Sequence, residues 1–353
     1  MNERKRKLPE ITELREDETL DKRETYAAPP GRSGARKGGV IGSIAAAFMA
    51  ALLTFAYFMG WIELPQNAEE PPQSSAVQQR SEIASQEGGA PDEPEDKPEL
   101  KIHIIDVGQG DSILIQAPDR TILIDAGEEG YGPTVMGYLD ALGVDRIDVM
   151  IATHPHSDHI GDMDYVIKNL KKVGVLYMSR IPDGAIPTTR CYENLLQAAL
   201  DKGVTVKTAK IGVSLKLGED CKLTFVGPVE PFEDYNNNSL VSRITFGDNA
   251  FLFGGDSSAD AEKLLLEKGT DISCDYMHIA HHGSRSSSSD AYLDAIAPKY
   301  ATISCGKNNS YGHPNEETLN KLKKRNIKYY RTDLDGSIVV VSDGNRITVK
   351  TQK

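Results

Sequence analysis

The chain has 353 residues and a formal net charge of −12, so it has room for more than one domain but lacks the overall basic surface on which non-specific nucleic-acid binding normally leans. Residues 1–98 hold 12 Lys/Arg against 17 Asp/Glu, which leaves −7 for the remainder. The four cysteines, Cys191, Cys221, Cys274 and Cys305, show no CxxC spacing. Cysteine metal binding is thereby disfavoured, while disulfides and buried free thiols both stay open.

Residues 1–38 are charged, with Arg4-Lys5-Arg6-Lys7 near the start, and lack a sustained apolar period, as expected of a disordered tail on the cytoplasmic side. Residues 39–63 include an uncharged run from Val40 to Ile62. At about 1.5 Å per residue that run crosses a hydrocarbon core of about 30 Å, which predicts a single transmembrane helix. Arg32, Arg36 and Lys37 precede it and Glu63, Glu69 and Glu70 follow, so the positive-inside tendency places the bulk of the chain outside the cell membrane. Residues 64–98 have the composition of a flexible acidic linker, and a folded domain is expected over 99–353.

That domain opens with strands at Lys101–Val107, Ser112–Gln116 and Thr121–Asp125, then a helix from Thr134 to Leu142 stopped by Gly143. A buried strand, Ile147–Thr153, leads into His154-Pro155-His156-Ser157-Asp158-His159. Strands and helices alternate thereafter to Arg346–Val349, a pattern that suits two mixed sheets packed face to face with helices outside. The basic residues Arg243 and Arg285 and the run Lys321-Lys323-Lys324-Arg325 are candidates for a polyanion patch, although the run also reads as the solvated face of a helix.

Three imidazoles and a carboxylate on one short turn form a metal site, because imidazole nitrogen and carboxylate oxygen suit Zn²⁺, Fe and Mn²⁺. Only eight histidines occur in the chain, so clustering for solubility is a poor explanation. Four donors in six residues are too many for one tetrahedral ion with further ligands, and two divalent metal ions are implied. Phe251-Leu252-Phe253-Gly254-Gly255-Asp256 puts a carboxylate just past another apolar strand, and Met277–His282 puts two more imidazoles past a third. Asp256, with two oxygens, is the natural bridge between two ions.

His154-x-His156-x-Asp158-His159, Gly254-Gly255-Asp256 and His281-His282-Gly283-Ser284, preceded by Asp106-Val107-Gly108-Gln109-Gly110-Asp111, resemble the metallo-β-lactamase fold superfamily. Within it they resemble the hydrolase domain of ComEC/Rec2-type competence proteins, over roughly Leu100 to Val349. The resemblance implies an αββα four-layer sandwich with a dinuclear Zn²⁺ or Mn²⁺ site at one edge. It assigns His154 and His156 to the first metal, Asp158 and His159 to the second, Asp256 to the bridge, and one of His281 and His282 to the second metal's shell. No histidine lies between His159 and His278, where many superfamily members have one. The first metal is expected to be under-liganded as a result. Asn238 and Ser239, in the run Asn236–Val241, are candidate substrate contacts. His313, in Asn309–Pro314, is a candidate for binding a phosphoryl oxygen or protonating a leaving group. Asp158 is expected to orient the nucleophile as well as to bind metal.

The activity implied is metal-dependent hydrolysis, most directly of a phosphodiester such as DNA. Hydrolysis of small or wall-linked esters of the phosphorylcholine type, or of lactams, is the alternative. A binding module without turnover is a third possibility, against which the retention of Asp158 and Asp256 argues. No obligate protein partner is inferred, and one span alone does not support DNA transport by this chain.

Overall fold

In a computed structural model, residues 98–353 and the two-residue strand β1 (Thr12–Glu13) are described. The rest of the expected tail, the anchor at 39–63 and the linker up to residue 97 lie outside the described residues. No helix among the described residues is long and apolar enough to cross a membrane.

Two sheets form the centre. The first contains β1, β2 (Leu100–Ile104), β3 (Ile113–Gln116), β4 (Thr121–Ile124), β5 (Arg146–Ala152), β6 (Lys172–Met178), β7 (Thr205–Thr208), β15 (Ile338–Ser342) and β16 (Ile347–Thr351). Their order is β1-β7-β6-β5-β4-β3-β2-β15-β16. The second contains β8 (Ser214–Lys216), β9 (Cys221–Gly227), β10 (Val241–Phe246), β11 (Asn249–Phe253), β12 (Tyr276–His278), β13 (Tyr300–Ile303) and β14 (Lys328–Arg331), in the reverse of that sequence.

Side-chain alternation explains why the sheets stack. Ile102 and Ile104, Ile113 and Ile115, and Ile122 and Ile124 face one way and pack with Phe225, Ile244, Phe251, Phe253 and Tyr276 of the second sheet. Burying each such side chain contributes about 1.5–3 kcal/mol. On the other face of the first sheet, Leu114, Leu123, Met150 and Leu176 pack against Val135, Leu139, Met163, Val166, Leu195 and Leu196 of the helices Gly132–Ala141, Met163–Asn169 and Arg190–Lys202. On the far face of the second, Leu252, Met277 and Ala301 meet Leu265, Leu293, Leu319 and Leu322 of the helices Ala259–Lys268, Asp290–Ile296 and Glu316–Lys324. Four layers result, helix, sheet, sheet and helix, as the sequence leads one to expect. Central strands covered on both faces, such as β11, are apolar throughout rather than alternating.

The third of the apolar strands that lead to site residues, β12, is short: its ladder ends at His278 and the chain turns over Ala280–Gly283, with His281 and His282 in left-handed conformations (φ 53 and 54). β8, a three-residue strand, has no sequence signal of its own. All four cysteines are free. The basic candidates are engaged locally: Arg243 pairs with Asp271, Lys321 with Glu317, and Arg325 with Asp290 and Asp294. Arg285 is exposed. The Lys321–Arg325 run is therefore a helix end, where cations also suit the macrodipole.

Register decides where the chemistry sits. β11 and β12 run parallel, with Phe253 opposite His278, so Asp256 and His282 leave the second sheet at one edge. β5 of the first sheet delivers Thr153 to the same edge, where the Leu240 N–H donates to the Thr153 carbonyl at 3.0 Å.

On β2, His103 points to the helix-covered face, with Nδ1 3.1 Å from the Tyr138 hydroxyl and Nε2 3.0 Å from Gln116 Oε1. Burial holds its pKa down from 6.5 to about 4. Above pH 6.5 the ring is neutral folded and unfolded; as pH falls towards 4 the unfolded chain takes the proton first, so stability is lost across that window. His103→Gln should lessen the stability lost between pH 7 and pH 5 by about 2 kcal/mol. Denaturant titrations at both pH values measure this, and equal losses in both proteins would exclude His103 as the source.

Candidate metal centre

The ligand cluster is built from short excursions beyond strand ends. After β5, Thr153 and His154 are buried, and a single helical turn, Ser157–Ile160, turns Asp158 and His159 back towards the sheet edge. Gly110 makes this approach possible. With φ +145, it lies so close to the turn that a Cβ would come within 2.3 Å of the Asp158 carbonyl oxygen, and that carbonyl accepts the Asp111 N–H at 3.1 Å. On the other side Gly283, with φ +80, passes where a Cβ would fall 2.6 Å from Pro314.

Asp158, His159, Asp256 and His282 offer ligand atoms all within 4.8 Å of one another, and so do His154, His156 and Asp256. Asp256 is common to both groups. Its Oδ1 lies 3.2 Å from His159 Nε2 and 3.7 Å from His282 Nε2; its Oδ2 lies 3.7 Å from both His154 Nε2 and His281 Nε2. His282 Nε2 is also 3.2 Å from Asp158 Oδ2, and His154 Nε2 is 3.1 Å from His156 Nδ1. His282 is thus the member of its pair that joins Asp158 and His159, whereas His281 lies on the side of His154.

Each buried imidazole is aimed by a partner on its other nitrogen. His159 Nδ1 lies 2.8 Å from Asp125 Oδ2 and His282 Nδ1 3.1 Å from the Ser304 carbonyl. The Thr153 hydroxyl donates to Asp125 Oδ2 at 2.6 Å, so it is left to accept from His154 Nδ1 at 3.2 Å. All three rings therefore direct Nε2 into the cluster, as metal-ligating histidines require. His159 Nε2 and Asp256 Oδ1 are buried and lack hydrogen-bond partners. Donor atoms facing each other without a proton geometry between them fit a common cation.

Electrostatics point the same way. Burial would raise the pKa of Asp256, but His159 and His282 beside it hold it well below the ordinary value. Burial opposes charge on His159, yet Asp256 and Asp125 hold that ring well above its usual range; His282, against the same burial, is raised to about 9 by Asp256 and Asp158. The carboxylates thus demand positive charge, which divalent cations can supply in place of the two ring protons.

The cluster opens into a cleft of about 330 Å³ lined by Gln109, His156, Ser157, Asp158, Asn236, Asp256, His281, His282, Tyr311 and His313. His313 lines it half-buried, with its Nδ1 buried and without a hydrogen-bond partner. Burial, with His281 and His282 nearby, lowers its pKa to about 4. Asn238 and Ser239 are a correction. Both are fully buried, and the Asn238 side chain bonds Phe232 and Asp234 while Ser239 Oγ accepts the Asp256 N–H at 3.0 Å. They brace the bridge-forming loop from behind and do not face the cleft. Asn236, two residues earlier, is the one that does.

The sequence assigns no role to Asp125 or His278, and Asp111 enters it only as the last residue of the Asp106–Asp111 motif. Asp111 Oδ1 lies 3.1 Å from His278 Nε2, and the His278 Nδ1 is 2.9 Å from Thr302 Oγ1. Asp125 follows an apolar strand as a turn residue does. Only the parallel with Asp256, another carboxylate just past a buried strand, could have marked it.

Two sheets, helices on both outer faces and a His/Asp cluster suited to divalent metal at their shared edge define a metal-dependent hydrolase fold. The family model described as "Metallo-beta-lactamase superfamily" matches residues 105–307, and the chain belongs to that superfamily. The resemblance to ComEC/Rec2-type proteins is borne out by similarity to ComE operon protein 3 of Bacillus subtilis, 32% identical over 259 residues, covering 68% of this chain and 33% of that one. Competence protein ComA of Neisseria gonorrhoeae is 31% identical over 245 residues (68% and 32%). Recombination protein 2 of Haemophilus influenzae is 24% identical over 266 residues (72% and 30%). The chain spans about a third of the length of these relatives.

In Asp125→Asn one oxygen is left to serve the Thr153 N–H, the Thr153 hydroxyl and His159 Nδ1, so the hold on the His159 ring is weakened. Metal affinity of the full chain, measured by isothermal titration with Zn²⁺ or Mn²⁺, should fall about 10- to 100-fold. An unchanged affinity would mean that Asp125 does not orient a ligand.

Proposed function

We propose that the protein is a membrane-anchored, extracytoplasmic phosphodiesterase of the ComEC type that uses two divalent ions. The carrying observation is the division of Asp256 between two sets of donors at the floor of an open cleft. One ion would be held by His154, His156 and Asp256, with His281 facing the same carboxylate oxygen, and the other by Asp158, His159, Asp256 and His282. Such a pair supplies Lewis acidity towards phosphoryl oxygens and lowers the pKa of water.

The protein's own contribution is orientation. Asp125, Thr153 and the Ser304 carbonyl fix the three rings, and the Ser239 hydroxyl fixes the backbone of Asp256. Asp158, which is partly exposed and has its pKa held to about 2 against burial by the His282 bond and the His159 charge, keeps a negative oxygen at the cleft floor. His313 is neutral near pH 7 and so offers a phosphoryl or leaving-group oxygen an N–H without first gaining a proton. The first set, two imidazoles and one carboxylate, would leave positions for two non-bridging phosphoryl oxygens, which a lactam lacks, and the shell completed by those oxygens would suit Mn²⁺ at least as well as Zn²⁺. Hydrolysis of small esters or lactams is the second reading, favoured by the lack of Lys or Arg among the described residues lining the cleft.

A panel of single- and double-stranded DNA, bis-p-nitrophenyl phosphate, p-nitrophenyl phosphorylcholine and nitrocefin separates these. Phosphodiester cleavage should exceed nitrocefin hydrolysis, with Mn²⁺ at least as effective as Zn²⁺. His156→Ala and Asp158→Ala should abolish it, and His313→Ala should slow turnover while bound metal stays unchanged. Nitrocefin hydrolysis without phosphodiesterase activity would overturn the reading, and metal binding without any turnover would favour a binding module.

The anchor at 39–63 and the charge bias around it support the placement of the domain outside the membrane. Protease added to intact cells should then remove the region from Leu100 onward. Cleavage seen only after lysis would reverse the orientation.

A further inference from the structure

The cleft wall carries one aromatic side chain that the ligand cluster does not use. Tyr311 is 68% exposed, more than any other large hydrophobic side chain among the described residues, and it lines the cleft. Its ring stacks on His313 with centroids 5.8 Å apart and planes 23° from parallel. His313 in turn lies 5.6 Å from the His281 ring and 6.4 Å from that of His282. A row of rings therefore leads from solvent to the ligands.

The loop presenting Tyr311 is fastened in place. Asn309 Oδ1 accepts from the N–H groups of Tyr311 and His313, at 3.2 and 3.0 Å, and its amide donates to the carbonyls of Gly306 and His313. The Asn315 N–H donates to the Gly283 carbonyl at 2.9 Å, tying the loop to the turn that carries His282. An aromatic ring held rigidly in water at the lip of a cleft keeps its apolar face open for a flat ligand.

Charge narrows the ligand. No Lys or Arg is among the described residues lining the cleft, so the wall adds no phosphate neutralisation for duplex or single strand alike, and stacking is the contact it offers. Base stacking needs no positive charge and tolerates any sequence.

We propose that Tyr311 is a stacking platform for an unpaired nucleobase beside the scissile phosphodiester, so that the site takes single-stranded nucleic acid in preference to an intact duplex. This rests on the phosphodiesterase reading. A paired base has both faces covered by its neighbours and reaches Tyr311 only if it is first unstacked.

The test uses the full chain with Mn²⁺ and three substrates: a short single strand, the blunt duplex of the same sequence, and the single strand with abasic positions. Wild-type protein should cleave the single strand with the lowest KM. Tyr311→Ala should raise that KM about tenfold with little change in kcat, Tyr311→Phe should retain the low KM, and the abasic strand should be cleaved alike by all three proteins. A single strand carrying 2-aminopurine should lose fluorescence on binding to the wild-type and Tyr311→Phe proteins but not to Tyr311→Ala. Single-strand cleavage with an unchanged KM in Tyr311→Ala, or a duplex cleaved as well as the strand, overturns the platform and leaves the phosphodiesterase reading standing. No cleavage of any phosphodiester overturns both.

Discussion

Buried negative charge at the seam between the two sheets is the constraint on which the structure depends. Asp111, Asp125 and Asp256 are each nearly or wholly inaccessible to water, and an uncompensated buried carboxylate costs several kcal/mol. Asp125 is met within its own sheet by His159 and Thr153, but the compensation of Asp111 and Asp256 crosses the seam. Asp111 belongs to the loop after β2 in the first sheet and its partner His278 to the second; His282 of the second sheet meets Asp158 of the first. The sheets must close in one register for these charges to be met. The hydrophobic face between them supplies the drive, and the seam supplies the specificity.

Much of this was legible in the sequence. Apolar strands at β5 and β11 are unmistakable because they are covered on both faces, and donors that sit immediately beyond strand ends, such as His154 and Asp256, are conspicuous. The αββα order followed from alternating strands and helices. What could not be read depends on which face a side chain takes after a turn. Asn236, Asn238 and Ser239 are near neighbours of similar chemistry; tight loop hydrogen bonds turn two of them inward and leave only Asn236 at the cleft. His281 and His282 are adjacent too, and their separate allegiances come from two successive left-handed residues, a conformation that sequence does not announce for histidine.

The acidic composition is consistent with this arrangement once the cations are located. Arg243, Arg325 and Lys321 serve the surface of the second helical layer, each facing carboxylates nearby.

Asn309 has a consequence of a different kind. It ties residues 306–313 through their own backbone, and the loop with Tyr311 and His313 rests on the turn at Gly283 and on Gln109, whose Oε1 accepts the Gly306 N–H at 3.1 Å. The orienting residues Asp125, Thr153 and Ser304 belong to strand ends beneath and share none of its side chains. A change in that loop would thus be felt at Gln109 and at the turn that carries His282 before it reached the residues that orient the ligands.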